Sequence, residues 1–317
     1  MTFLVTGGAG FIGSNLVEEL LKRGHAVRVV DNFSTGRRCN LEPFLKDIEL
    51  VEGDIRSLDD LRSAFKGSDF VLHQAALPSV PRSIADPATT HDVGATGTLN
   101  VLIAARDSGV KRVVYASSSS VYGDSEDLPK HEQMTPNPLS PYAVSKLVGE
   151  HYCRVFSRAY GLETVALRYF NVFGPRQDPD SQYAAVIPKF LAAIRDGERP
   201  TIYGDGEQSR DFTPVENVVA ANLAACTVPL STSTFLLSNV GTGQRYTLKF
   251  LVTELCRLTG RQVEPVFAPT QPGDVKHSLA SVDTLTGRLG VTRLATFQKG
   301  LAQLVEVARN EAPGTAG

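Results

Sequence analysis

No stretch of this sequence approaches the ~18 consecutive apolar residues that a membrane-spanning helix needs, so no membrane partner is expected. Cysteine is scarce. Cys39, Cys153, Cys226 and Cys256 stand far apart, without metal-ligand spacing, and fit reduced thiols in a cytoplasmic protein. Histidines such as His73, His131 and His277 show no metal spacing either and read as loop or packing residues, so no metal is expected. Neither charge is in excess: 32 Lys and Arg against 34 Asp and Glu leave a net charge of -2. Such a chain has no global field to draw in nucleic acid or an acidic membrane, and any anionic ligand must be met by local groups. No basic leader precedes the first strand, so no signal peptide is expected. Internal repeats and low-complexity segments are also absent.

What is present is a strand–helix rhythm in a chain of 317 residues, long enough for one large or two moderate domains. Residues 3–6 read as a short buried strand. Residues 11–22 read as a helix with Leu16, Val17, Leu20 and Leu21 on one face, stopped at Gly24. Further strands are expected at 26–30, 48–51, 70–73, 112–116 and 164–168, with helices between them, one at 58–65. Strands alternating with helices imply an α/β fold, a doubly wound parallel sheet of Rossmann type. The rhythm is clear to about residue 170 and weakens from 174 to 214, where Pro, Gly, Asp and Gln become frequent. Residues 312–317 read as a disordered tail.

The first chemistry stands at the first turn. Gly7, Gly10 and Gly13 follow the first strand and open the first helix, in Thr6-Gly-Gly-Ala-Gly-Phe-Ile-Gly13. Glycine there permits a tight turn and close approach of backbone to a pyrophosphate, which the helix N-terminus then meets with free N–H groups. Asp31 ends the second strand, 18 residues after Gly13. A carboxylate at that point accepts from a ribose 2'-hydroxyl and repels a 2'-phosphate, which favours NAD. Arg37 and Arg38 pull the other way, since a nearby arginine suits that phosphate. Asp54 and Ile55, after the third strand, are placed to flank the adenine.

The second chemistry is Tyr142 and Lys146, four apart at the start of a helical stretch and so on one face. Oxidising an alcohol needs a base for the O–H proton while the C–H hydride leaves. A phenol titrates near ~10 and is a poor base at neutral pH. A neighbouring ammonium favours the phenolate, and Lys146 is placed to supply it and to hold a cofactor ribose.

With these residues on the page, the chain resembles the extended short-chain dehydrogenase/reductase family over nearly its whole length, and within it the nucleotide-sugar 4-epimerases of the UDP-glucose/UDP-N-acetylglucosamine type. The likeness is carried by the glycine spacing, Asp31, Tyr142, Lys146 and longer segments. These are His73-Gln-Ala-Ala76, Ser79-Val-Pro-Arg-Ser83, Ser117-Ser-Ser-Ser-Val-Tyr-Gly123, Arg168-Tyr-Phe-Asn-Val-Phe-Gly-Pro175, Tyr203-Gly-Asp-Gly-Glu-Gln-Ser-Arg-Asp211 and Gly273-Asp-Val-Lys-His-Ser278.

The resemblance implies NAD bound by Gly7, Gly10, Phe11, Ile12, Gly13, Asp31, Asn32, Asp54, Ile55 and Ala75, with Tyr142 and Lys146. It implies a UDP-sugar partner, with Tyr142 as base, Lys146 beside it and Ser118 on the sugar 4-hydroxyl, the register among Ser117, Ser118 and Ser119 being open by one. Asn171 and Arg210 are similar to residues that hold the diphosphate, and a guanidinium suits phosphate because it is a rigid, permanently charged fork. Asp274 is similar to the acid on the uridine ribose. Ser79, Arg82, Ser119, Val186, Tyr203 and Gln208 complete the implied substrate set. A NAD-binding unit at 1–170 is implied, with a return near 212–240. A smaller C-terminal α/β substrate-binding domain at 171–211 and 241–317 accompanies it.

Two departures bear on the substrate. Gln271 stands where the family often has a second arginine. Ser278 stands where a bulky tyrosine often limits the sugar 2-substituent, and a small residue leaves room for an N-acetyl group; the Ser79 and Tyr183-Ala-Ala-Val-Ile-Pro188 segments resemble the same N-acetyl-accepting branch. Among rivals, dehydratases resemble a pattern with Asp-Glu where Ser119 and Ser120 stand, and decarboxylases one with Glu at Ser120. A UDP-glucuronate 4-epimerase stays open, with Arg82 or Arg176 to meet the extra carboxylate. A non-catalytic NAD-binding regulator is a further reading, disfavoured because tyrosine and lysine are both present. The resemblance also implies a homodimer, paired through the helices near 96–105 and 142–156, which carry apolar positions.

Overall fold

Runs such as Phe3-Leu-Val, Val-Val at 29–30 and Val-Val at 113–114 are β-branched and apolar without alternation, as strands covered on both faces require. In the structure, a computed structural model that describes residues 1–178, 185–230, 234–270 and 276–310, these runs form a seven-stranded sheet. Its strands are β1 (Thr2–Thr6), β2 (Ala26–Asp31), β3 (Ile48–Glu52), β4 (Phe70–His73), β5 (Arg112–Ser118), β6 (Glu163–Tyr169) and β7 (Phe235–Val240). The order is β7-β6-β5-β4-β1-β2-β3, with every pairing parallel. The winding direction reverses between β1 and β4, and ligands of such sheets bind beyond the carboxyl ends at that point.

Helices cover both faces, as predicted. Phe11–Lys22 and Val215–Thr227 pack one face through Leu16, Val17, Leu20 and Val218. Gly97–Asp107 and Pro141–Tyr160 pack the other through Val101, Leu102, Cys153 and Phe156. The helical stretch entering Gly97–Asp107 widens to a π-turn at Asp92–Thr96. A Cβ on Gly94 in that turn would lie 2.5 Å from Ser145 Oγ, so glycine lets the turn sit directly on the Pro141–Tyr160 helix.

Five predicted strands run one or two residues longer than the sequence suggests. β5 reaches Ser118 and β6 reaches Tyr169, because Ser117 pairs with Arg168 and Ser118 with Tyr169 across the ladder. Neighbouring backbone, not side-chain propensity, carries these polar residues into the sheet.

The weakly patterned 174–214 stretch contains the helix Val186–Arg195 and short strands whose partners are far away in sequence. Val172–Phe173 pairs with Thr213–Pro214, Thr201–Tyr203 with Val266–Ala268, and Ser209–Arg210 with Tyr246–Thr247. Together with the helices Leu248–Thr259 and Phe297–Asn310 they enclose a second core of Phe190, Ile194, Ile202, Leu251, Phe297 and Leu301. Gln271, Asp274, Tyr183 and the 312–317 stretch lie outside the described residues. Among the described residues no helix is long and apolar enough to cross a membrane.

Candidate active site

A cavity of about 1,020 Å³ runs along the carboxyl ends of the strands, from the glycine turn to Arg210 and Ser278. The turn has no slack. Gly7 has φ +70°, and a Cβ there would meet Ala75 N at 2.6 Å. A Cβ on Gly13 would meet the Gly7 carbonyl at 2.1 Å. Gly10 caps the helix Phe11–Lys22 with no side-chain hydrogen bond, so the first-turn N–H groups are left to the cavity wall formed by Gly10, Phe11, Ile12 and Gly13.

Asp31 is buried at the end of β2. Its two oxygens accept from Ala9 N at 2.9 Å and Phe33 N at 2.8 Å. Burial raises its pKa, and these two bonds oppose the rise. Asn32 donates to Asp54 Oδ2 at 2.8 Å. Asp54 is gripped at both oxygens by Arg56, whose hydrogen bonds hold its carboxyl down at about 2. Arg37 faces Asp178 at 3.6 Å and Arg38 bonds Glu52, so both arginines already meet carboxylates. The uncapped helix end, the glycine cradle and the Asp31 acceptor fit NAD, with Asp54, Ile55 and Ala75 on the same wall.

At the middle of the cavity stand Tyr142, Lys146 and Ser118. Ser140 caps the Pro141–Tyr160 helix by accepting from Ala143 N at 3.2 Å, which places Tyr142 in the first turn. Ser118 stands beside Tyr142 in the cavity wall, where its hydroxyl acts to lower the phenol pKa, and accepts from Ser120 N at 3.2 Å. Ser117 donates to Glu150 at 2.5 Å.

The expected effect of Lys146 on Tyr142 is not found. Burial raises the phenol pKa above its ordinary value, and the bond to Ser118 is what opposes the rise. Lys146 Nζ lies 5.8 Å from the Tyr142 ring centroid and donates to the Ala116 carbonyl at 2.7 Å. Its own pKa is pushed down to about 8 by burial. Desolvation therefore outweighs mutual attraction in this pair.

Toward Arg210 the wall carries Ser79, Arg82, Ser119, Asn171, Val186, Tyr203, Gln208, Arg210 and Ser278. Arg210 Nη1 donates to the Ser209 and Lys276 carbonyls, and Ser278 N donates to Ser209 O at 3.0 Å. Gln208 donates to the Tyr203 carbonyl, while its buried Oε1 has no partner among the described residues. Arg176 is held by Glu18 at 2.6 Å and Ser14 at 3.0 Å.

Other residues of the site were not read from the sequence. His73 lies between Thr6 and Thr98. Thr98 donates to the Gly94 carbonyl, so it accepts from His73 Nε2, and Nδ1 accepts from Thr6 at 2.7 Å. Burial holds this ring neutral, with its pKa down at about 3. Glu150 and Arg168 form a buried pair beneath Ser117. A carboxylate eight residues after the tyrosine, on the same helix face, was the available signal for it.

Residues 3–241 match the NAD dependent epimerase/dehydratase family. The UDP-glucose 4-epimerase of Mycolicibacterium smegmatis is 38% identical over 316 residues, covering 98% of this chain and 99% of that protein. Among solved structures, a UDP-N-acetylglucosamine 4-epimerase from Methanobrevibacter ruminantium, in complex with UDP-N-acetylmuramic acid, superposes with a TM-score of 0.92 at 38% identity, covering 98% of each chain. The Thermus thermophilus UDP-glucose 4-epimerase complex with NAD gives a TM-score of 0.89 at 38% identity, covering 98% of this chain and 100% of that one.

Proposed function

Because the chain belongs to the NAD dependent epimerase/dehydratase family, we propose that it interconverts UDP-hexoses that differ at C4. The reading is UDP-N-acetylglucosamine and UDP-N-acetylgalactosamine, alone or alongside UDP-glucose and UDP-galactose. The observation that carries it is the grouping of Ser118, Tyr142 and Lys146 in one cavity that joins the glycine turn to Arg210.

NAD, held by the glycine turn and Asp31, would supply the hydride acceptor and donor for sugar C4. Tyr142, as phenolate, takes the 4-hydroxyl proton directly or through Ser118. Lys146 orients the ribose and keeps a positive charge near the phenol at neutral pH, since its pKa of about 8 leaves it mostly protonated. Asp31 accepts from the adenosine ribose. Arg210 and Asn171 anchor the diphosphate, so binding remote from C4 holds the nucleotide while the sugar turns. Asp274 belongs to the uridine ribose in this reading, and Gln271 is a neutral neighbour of the phosphates. Ser278 leaves space for the N-acetyl group.

The enzyme is read as cytoplasmic, with a NAD-binding unit at 1–170 and a substrate unit at 171–211 and 241–317. Two copies pair through the Pro141–Tyr160 helix, where Val144 and Val155 are exposed.

Purified protein is incubated separately with UDP-N-acetylglucosamine, UDP-glucose and UDP-glucuronate, and proton NMR follows the anomeric region. A new galacto-configured signal from the N-acetyl sugar is expected. Conversion of the glucuronate alone would move the specificity to Arg82 or Arg176. Failure of all three, with NAD bound, overturns the substrate assignment.

A further inference from the structure

We infer that Glu150, held by Ser117 and Arg168, is a positioning residue that fixes the Tyr142 phenol against Ser118; the inference rests on Tyr142 being the base. Ser117 and Arg168 are register partners across β5 and β6, and both bond the same carboxylate. Ser117 Oγ donates to Glu150 Oε1 at 2.5 Å. Arg168 donates through Nε to Oε1 at 2.8 Å and through Nη2 to Oε2 at 2.7 Å. The side chains of Arg168 and Glu150 are 2% and 6% exposed. A pair this deep costs much of its attraction in lost hydration and is weak evidence for a stabilising role, so a geometric role is the better account of it.

Glu150 lies one turn beyond Lys146 and two beyond Tyr142, on the same helix face. Consecutive residues at the end of β5 therefore hold different turns of that helix. Ala116 O accepts from Lys146 and Ser117 donates to Glu150, while Ser118 shares the cavity wall with Tyr142. On its other side Arg168 packs against an aromatic ring, with its buried Nη1 lacking a hydrogen-bond partner among the described residues. Its guanidinium lies 4.5 Å from the Tyr122 ring centroid, and Tyr122 donates to Asn239 Oδ1 at 2.7 Å. Asn239 is the register partner of Arg168 on β7. A polar rung thus crosses three strands beneath the cavity, and Glu150 ties it to the tyrosine helix.

Without the Ser117 hydroxyl, Glu150 keeps Arg168 but loses β5. The helix keeps the Lys146 bond to Ala116 O but loses this second tie to β5, which lets it shift against Ser118, and a displacement of about 1 Å at a reacting group is worth ~100-fold in rate. The test is Ser117→Ala in the full chain loaded with NAD, with Ser117→Thr as the rescue. Turnover number is expected to fall about tenfold or more, with KM for the UDP-sugar within about twofold and NAD content unchanged. Threonine restores most of the loss. The Tyr142 phenol, titrated by ultraviolet difference against Tyr142→Phe, shifts upward in Ser117→Ala as its bond to Ser118 loosens. That titration does not depend on turnover. If the wild type converts no UDP-sugar, the substrate reading falls while this one is still decided by the phenol. A folded, NAD-loaded Ser117→Ala with unchanged turnover and unchanged phenol titration overturns the inference. A fall in melting temperature and NAD content alone, with turnover per bound NAD intact, also overturns it. Glu150→Gln, with one acceptor oxygen in place of two, gives the same directions and covers a Ser117→Ala that fails to fold.

Discussion

Burial moves Tyr142 up and Lys146 down, so both residues of the pair resist being charged in the ligand-free protein. For Lys146 the consequence for stability has a definite sign. Its folded pKa of about 8 lies below the ~10.4 of an unfolded lysine, so the unfolded chain binds the proton more tightly. The ammonium therefore destabilises the fold below pH ~8, and the penalty fades between there and pH ~10.4. Lys146→Met should be more stable than wild type at pH 7, by on the order of 2 kcal/mol after subtracting the bond to Ala116 O, and no more stable near pH ~10.5. Denaturant melts at the two pH values check this, and the same variant should lose turnover. Tyr142→Phe should lose about 10²–10⁴-fold in turnover and keep NAD; turnover within a few-fold of wild type would remove Tyr142 as the base. Asp31→Ser should weaken NAD about 10- to 100-fold, measured by titration calorimetry, because it removes a charged acceptor. The identity of these residues was legible as spacing: four apart for tyrosine and lysine, and the end of the second strand for the aspartate. The direction of the Tyr142 shift was not, because desolvation depends on how the whole sheet edge packs around the phenol.

At the scale of elements, the Pro141–Tyr160 helix is seated by two glycine contacts. A Cβ on Gly149 would lie 2.3 Å from the Tyr115 ring and hydroxyl, and one on Gly94 would lie 2.5 Å from Ser145 Oγ. Helix propensity alone favours Gly149→Ala by about 1 kcal/mol. Overpacking costs about 1–3 kcal/mol, so the substitution should lower the melting temperature; a rise would show that the helix has room to lift from β5. The amphipathic helices and the apolar strands were readable because each signal lies within a dozen residues. The two-residue strands at Ser209–Arg210 and Tyr246–Thr247 were not, because each exists only through a partner more than thirty positions away. The rung of Ser117, Arg168 and Asn239 was hidden for the same reason, although Ser117 and Arg168 sit within quoted segments; the strand that carries Asn239 was not predicted.

For the whole molecule, the exposed Val144 and Val155 set an expectation of mass. Light scattering should report twice the chain mass for wild type and a smaller value for Val155→Glu; a single-chain mass for wild type would end the pairing proposal. The path of the chain has a different consequence. It leaves the sheet after Tyr169, contributes Phe190, Ile194 and Phe212 to the second core, and comes back to lay β7 beside β6. It then leaves again to supply Leu251, Phe297 and Leu301. Neither core is one continuous stretch, so the protein has no single crossover point for recombination. A chimera that exchanges everything after residue 170 replaces β7 and must rebuild its pairing with β6. One that exchanges 171–211 and 241–317 together, sparing the strand between, needs three junctions and inherits the sheet intact. Shuffling libraries built on this chain should yield folded progeny from the second scheme and few from the first, and new sugar specificities should be sought there.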